Sequence, residues 1–367
     1  MKSMKNMKKI MAGLAAFSMA AGLMMGCGSS SAQTSTTAAA SEDETEADEA
    51  GEDVASDDAE AVADGELQDF EIILDWYPNA IHSFLYVAQE KGYFAEEGLN
   101  VTLTAPAGYS DGITFPAAGK AEAGLYYMPD ACVGYADEGM DIEILGAVTQ
   151  DSLGCMIALK ESNILSPADF AGKKVGYSGG ETLKAKLITV AELCGVSEDD
   201  FELVDIGFDI ENSLVTGAVD VVAGGMLNNE VVELRNAGYD IDYWTLDEYG
   251  TPREYEILVV VNKTAYEADP DLYEGFLAAC RKAFDDVKAD PEAALDILFE
   301  HEDAENYALD RDMETESLSV LLELEENSGA EFMSMEASVW EEEMNWLHEN
   351  GILENVVDPA EFVHVEE

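Results

Sequence analysis

The chain has 367 residues, with 78 acidic side chains against 18 basic ones and a formal net charge of -60. Nucleic-acid affinity comes mainly from Lys and Arg on phosphate, and anionic headgroups repel a surface of this sign, so neither is an expected partner. Hydrophobic residues make up 47% and aromatic ones 9%, enough to fill the cores of about two domains.

In chain order, residues 1–27 read as an export signal. Lys2, Lys5, Lys8 and Lys9 form a basic stretch, and 10–25 is apolar and rich in Ala, Gly and Met. That run is shorter than the roughly 20 residues of a membrane span. It ends in Leu23-Met24-Met25-Gly26-Cys27, which resembles the lipobox of bacterial lipoproteins. The resemblance implies acylation of Cys27 and anchoring at the extracytoplasmic face of the cell membrane. Residues 28–66 are first rich in Ser, Thr and Ala, then strongly acidic, with no Lys or Arg. They hold few large apolar side chains to offset ordering entropy and are expected to form a disordered tether.

From residue 70 onward, strand-like and helical runs alternate. Strands are predicted at 70–74, 101–105, 123–126 and 142–148, with helices at 83–94, 113–118 and 130–136. A second series starts near Lys160. It has a short helix at Ser166-Pro167, strands at 174–177 and 201–205, and a helix at 181–194. The stretches 210–216, 219–223 and 228–237 continue the alternation up to a strand at 239–245. A β-rich run at 255–262 then leads into helices at 271–289, 291–299, 314–326 and 334–350. Such alternation implies βαβ units and mainly parallel sheets. The simplest arrangement is two α/β lobes, 67–159 with 255–367 and 160–254. The chain would cross near Leu159 and return near Tyr255, and two crossings make a hinge.

Four stretches are specific. Leu74-Asp75-Trp76-Tyr77-Pro78-Asn79-Ala80-Ile81-His82 runs into Leu85-Tyr86-Val87-Ala88-Gln89-Glu90-Lys91-Gly92-Tyr93-Phe94. Gly124-Leu125-Tyr126-Tyr127-Met128-Pro129-Asp130, Gly172-Lys173-Lys174-Val175-Gly176-Tyr177-Ser178-Gly179 and Val219-Asp220-Val221-Val222-Ala223-Gly224-Gly225 follow in order. The series resembles the substrate-binding proteins of ABC importers, in the branch that handles thiamine pyrimidine precursors. It spans roughly residues 70–298. It implies an α/β, two-lobe periplasmic-binding-protein type II fold with hinge crossovers and a helical C-terminal tail. It further implies a monomer, not an enzyme, that captures a small molecule for permease and ATPase subunits. The implied ligand is formylaminopyrimidine or hydroxymethylpyrimidine. Met128 stands where Gln is usual, and Met226-Leu227-Asn228-Asn229-Glu230 replaces a more aromatic stretch, so the ring remains open. Riboflavin, a sulfonate or nitrate are the alternatives. Fungal pyrimidine synthases are also similar over this fold. They use a histidine at the position of His82 as a sacrificial donor and carry a Cys-rich iron-binding stretch; here no two cysteines are adjacent.

Ligands of open α/β sheets sit beyond the carboxyl ends of strands. That rule selects Asp75, Trp76, Tyr77 and Asn79 after the first strand, with His82 opening the next helix. It selects Tyr109, Ser110 and Asp111 after the second strand, and Tyr126, Tyr127 and Asp130 after the third. In the other lobe it selects Tyr177, Ser178, Gly179, Gly225, Asn228 and Glu230. Their chemistry is aromatic plus carboxylate: rings stack on a flat heterocycle, and an acid accepts from an exocyclic amine. Bland roles stand beside these. Asp75 either faces the pocket or caps a turn; Asp111 and Asp130 are pocket acids or helix caps; Glu230 binds ligand or only favours the helix dipole. Windows 75–90, 106–114, 124–131, 176–183 and 224–230 contain no Lys or Arg, which argues against a sulfonate, nitrate or phosphate. Backbone amides near Gly179-Gly180 still offer an anion a place. Cys132, Cys155, Cys194 and Cys280 read as free thiols, the four histidines are scattered, and neither a metal nor a cofactor motif is present.

Overall fold

The computed structural model describes residues 67–305 and 307–365. The export signal, the Cys27 lipobox and the acidic tether lie outside the described residues.

The first lobe opens with β1 (Gln68–Ile73), followed by α1 (Ser83–Glu90) and α2 (Tyr93–Glu96). It continues through β2 (Leu99–Thr104), α3 (Asp111–Ala117), β3 (Ala123–Tyr126), α4 (Met128–Ala136) and β4 (Ile142–Ala147). The second lobe holds β5 (Gly154–Leu159), β6 (Lys174–Tyr177), α5 (Glu181–Leu193) and β7 (Glu202–Asp205). It is completed by α6 (Ile210–Val215), β8 (Val221–Met226), α7 (Glu230–Asn236) and β9 (Ile241–Thr245). The chain returns with β10 (Leu258–Asn262) and ends in helices α8 (Lys263–Ala268), α9 (Pro270–Ala289), α10 (Pro291–Glu300), α11 (Arg311–Ser328) and α12 (Ala337–Glu349).

Each lobe is a five-stranded sheet, and the two share one topology. The orders are β2-β1-β3-β10-β4 and β7-β6-β8-β5-β9. In each, three consecutive strands pair in parallel, and the fourth place belongs to an antiparallel strand. That fourth strand is the one that has just crossed from the other lobe. The first crossing therefore lies between Ala147 and Gly154, not near Leu159, because residues 154–159 hydrogen-bond to β8 and β9 in the second sheet. The sheets are parallel except for these two strands.

Three further expectations need correcting. The helix predicted at 83–94 is two helices, because Gly92 sits at φ 75 and turns the chain between α1 and α2. The ladder of the 255–262 run begins only at Leu258, since the residues before it form the return crossing. Ser166 begins a short 3-10 turn at Pro167–Asp169 in extended geometry, but its side chain makes no cap.

Apolar alternation builds the cores. The first sheet is covered by α1 and α9, whose Phe276 stacks on Phe70 at 4.7 Å and on Phe94 at 5.5 Å. Burying one such ring is worth roughly 1.5–3 kcal/mol. Two glycines bring α3 against β3: a Cβ on Gly124 would fall 1.9 Å from the Gly112 carbonyl, and one on Gly112 would fall 2.2 Å from the Leu125 carbonyl. This close approach sets the loop carrying Tyr109 beside Tyr126 and Tyr127. The tail does more than cover one lobe. α11 packs on both the Ala80–His82 turn and α7, and α12 packs on α4. Among the described residues no helix is long and apolar enough to cross a membrane.

Candidate functional site: an acid-lined cavity between the lobes

A cavity of about 970 Å³, counted to its open mouth, lies between the two sheets. Parallel strands deliver their following loops to it. Asp75, Trp76 and Asn79 follow β1, Tyr109 follows β2, and Tyr127 with Asp130 follows β3; Ser178 follows β6, and Asn228 with Glu230 follows β8. These nine were selected from the sequence, and the fold brings them to one space.

Asp75 is a cavity acid and not a turn cap. It is 3% exposed, and its Oδ1 lies 2.9 Å from His82 Nε2. His82 Nδ1 accepts the Asn79 N–H at 3.2 Å, so Nε2 carries the proton that Asp75 accepts. The Tyr127 hydroxyl donates to Asp75 Oδ2 at 3.3 Å. Tyr127 in turn stacks on Tyr109 at 5.7 Å. Burial pushes both phenols up. Asn79 is held by its own turn, accepting from Ile81 N–H at 3.1 Å.

Asp130 is enclosed by cavity walls, although part of its surface opens onto the cavity itself. Burial pushes its carboxyl up to about 6, against a hydrogen bond from Thr182 that works the other way. Thr182 is on α5, so this bond crosses the lobes. Glu230 is buried, accepts the Met226 N–H at 2.7 Å and takes Asn229 Nδ2 at 3.1 Å. Burial raises its carboxyl despite these donors. The Asn228 amide donates to Ser317 Oγ of α11 at 3.1 Å, while its Oδ1 is buried without a protein partner.

The remaining sequence candidates lie off the cavity. His82 is fully buried behind Asp75. Tyr77 is 42% exposed and stacks outward on Tyr307 at 5.7 Å. Asp111 holds its own loop, accepting from Ala107 and Gly108 N–H at 2.9 and 2.8 Å, and Ser110 is exposed beside it. Tyr126 and Tyr177 are core residues. Gly179 and Gly225 do not line the space. Gly224 does, at φ 88, where a Cβ would meet the Ser178 carbonyl at 2.1 Å.

Residues the loop rule missed complete the wall. Gly154, Cys155 and Met156 come from the amino end of β5, which faces the cavity because that strand runs antiparallel. Glu254 and Glu256 come from the return crossing, where Tyr255 and Ile257 alternate into the core. Lys186 is the correction to the expected lack of cations. It lies inside α5, 1% exposed, with Nζ 2.5 Å from Glu254 Oε2 and 3.2 Å from Glu343 Oε1. Burial works to lower its pKa, but the two carboxylates override that and hold it above its ordinary value.

Two lobes of one topology, joined by two crossings with a lined cavity between, define the type II periplasmic-binding-protein fold. The alkanesulfonate-binding protein SsuA from Xanthomonas axonopodis pv. citri bound to MOPS has this fold, with a TM-score of 0.63 at 14% identity over 82% of this chain and 100% of that one. SsuA from Escherichia coli matches at 0.62 over 82% and 92%, also at 14% identity. The chain belongs to the NMT1/THI5-like family, which matches residues 79–294. It is 37% identical over 295 residues to the formylaminopyrimidine-binding protein of Halalkalibacterium halodurans, covering 80% of this chain and 89% of that one. It is 29% identical over 236 residues to the 4-amino-5-hydroxymethyl-2-methylpyrimidine phosphate synthase of Aspergillus parasiticus, covering 61% and 68%.

Proposed function

We propose that this protein is an extracytoplasmic, lipid-anchored solute-binding protein. It captures an aminopyrimidine precursor of thiamine, formylaminopyrimidine or hydroxymethylpyrimidine, and passes it to an ABC permease. The observation that carries the reading is the chemistry of the cavity. Its aromatic walls are Trp76, Tyr109 and Tyr127, and its charged side chains are carboxylates with the exception of Lys186. A flat ring bearing an amine supplies what such a space lacks. Stacking contributes about 1–3 kcal/mol per ring. An amine on a carboxylate adds about 1–3 kcal/mol. Together these are enough for micromolar binding, about 8 kcal/mol, once closure excludes water. The relative from Halalkalibacterium halodurans supports the same ligand class.

Titration calorimetry tests it with formylaminopyrimidine, hydroxymethylpyrimidine, riboflavin, taurine and nitrate. Tight binding of one aminopyrimidine is expected. Silence across the panel removes the ligand assignment. Loss of radiolabelled palmitate from a Cys27→Ala variant tests the anchor.

Catalysis is a second reading, favoured by the relatives named as synthases. Against it stands His82, which is buried behind Asp75 with both ring nitrogens engaged and does not line the cavity. Release of a new pyrimidine by the purified protein, followed by mass spectrometry, would reinstate the enzyme.

A further inference from the structure

The cavity wall carries five carboxylates and one ammonium among its residues. Asp75 comes from the loop after β1, Asp130 from α4, Glu230 from α7, and Glu254 and Glu256 from the return crossing; Lys186 comes from α5. The lysine does not offset this excess, because it is shared between Glu254 and the fully buried Glu343 of α12. Burial raises the carboxyls of Asp130, Glu230 and Glu256, and of the other titratable groups facing the cavity, Tyr109, Tyr127 and Cys155 are pushed up by burial and stay neutral. His82 donates to Asp75 from behind.

An anionic ligand needs free donors, and the protein's own acids hold several of those at the wall. Glu256 Oε2 accepts from Leu153 N–H at 2.8 Å, Gly154 N–H at 2.7 Å and Ser152 Oγ at 3.0 Å. Glu230 holds the Met226 N–H at 2.7 Å. Asp130 takes Thr182 and lies against Gly180, where a Cβ would come 3.2 Å from its Oδ1. Asn228, 1% exposed, keeps its amide oxygen buried without a protein partner. Surplus negative charge, with several wall donors already held by acids, calls for positive charge on the guest.

We propose that this cavity binds its ligand as a cation, for an aminopyrimidine the ring-protonated form, and excludes the anionic phosphate ester of the same ring. The inference rests on the solute-binding reading above, not on which solute is bound. Only the protonated fraction is then competent, so the apparent Kd rises about tenfold for each pH unit above the ring pKa of the free ligand.

Calorimetry of hydroxymethylpyrimidine from about pH 6 to about pH 8, in buffers of differing ionisation heat, reads affinity and proton count together. Benzamidine and benzoate, alike in shape with fixed opposite charge, are titrated beside it. The expected result is uptake of about one proton per pyrimidine at the upper end of the range. Benzamidine binds without taking up a proton, and benzoate and the phosphate ester of hydroxymethylpyrimidine each bind at least about 100-fold more weakly than their counterparts. A pyrimidine Kd that is flat with pH overturns the inference but leaves the pyrimidine reading intact. Proton uptake with benzamidine overturns it too, since the proton then enters the protein. So does benzoate matching benzamidine, including the case where neither binds. If no pyrimidine binds while benzamidine still surpasses benzoate, the pyrimidine reading falls and the charge inference stands.

Discussion

Lys186 and Glu343 join the two lobes through a buried ion pair, Nζ to Oε1 at 3.2 Å. Lys186 belongs to the second lobe, and Glu343 to a tail helix packed on the first. Breaking a buried pair by removing one partner costs about 3–5 kcal/mol, because the remaining charge stays desolvated. Lys186→Met strands two carboxylates and is expected to lose about that much in denaturant unfolding. Glu343→Gln leaves the one-to-one pair with Glu254 intact and is expected to lose much less. Equal losses for the two variants would mean that packing, not charge, holds α5 to α12.

A second contact between the lobes is aromatic. Trp76 of the first lobe lines the cavity and packs on the second-lobe cluster around Ile157, Ile210 and Leu214. Its ring lies 4.5 Å from that of Phe208, edge to face. Phe208 is 39% exposed and outside the cavity wall, so it bears on closure without touching the guest. An aromatic pair of this kind is worth about 0.5–1.5 kcal/mol. Phe208→Ala should therefore release ligand roughly two- to tenfold faster in a stopped-flow chase, with Phe208→Tyr close to the parent. An unchanged release rate would deny the contact any part in closure.

These two contacts show where the sequence was informative. Asp75, Tyr127, Asn228 and Glu230 follow strands that pair in parallel, so the carboxyl-end rule finds them. That rule is silent on an antiparallel strand, whose amino end faces the cavity, and so Cys155 and Met156 were missed. Glu254-Tyr255-Glu256-Ile257 carries a visible period of two, acid out and apolar in, but it reads as an ordinary strand until the crossing is located. Lys186 stands inside a regular helix, and nothing local separates it from a solvated lysine. Its role depends on Glu343, 157 residues away. Tyr77 was misplaced because the chain bends at residues 75–78, and the strand-end rule does not say which side chains of a bend face inward. Trp76 took the inner side.

Stability should rise as pH falls from about 8 to about 5. Burial raises Asp130 to about 6 and Glu314, which accepts from Ala80 N–H, to about 7. A carboxyl raised in the folded state binds more protons there than in the unfolded chain. Its contribution is therefore fully present below the unfolded pKa and is lost as pH climbs through the folded value. Each group contributes on the order of 1–3 kcal/mol to this slope. Thermal melts across the range should show Tm falling with pH, and Glu314→Gln should flatten the upper part of the curve. A Tm that climbs toward pH 8 would contradict the assignment.

The Asp75–His82 pair predicts an effect on affinity from a residue that never meets the ligand. His82 fixes Asp75 Oδ1 from behind, and Tyr127 fixes Oδ2, so the carboxylate can present its remaining lone pairs to the cavity in one orientation. Without the imidazole, Asp75 keeps only the longer bond and can turn. His82→Ala should weaken ligand binding about tenfold, the value of one charge-assisted hydrogen bond, and cost stability because a fully buried ring is removed. Asp75→Asn isolates the charge: the site keeps its shape and His82 its neighbour. Affinity should drop at least as far as in His82→Ala, with a much smaller change in Tm. If His82→Ala binds ligand as tightly as the parent while only its Tm falls, the histidine supports the fold alone, and Asp75 is oriented by Tyr127.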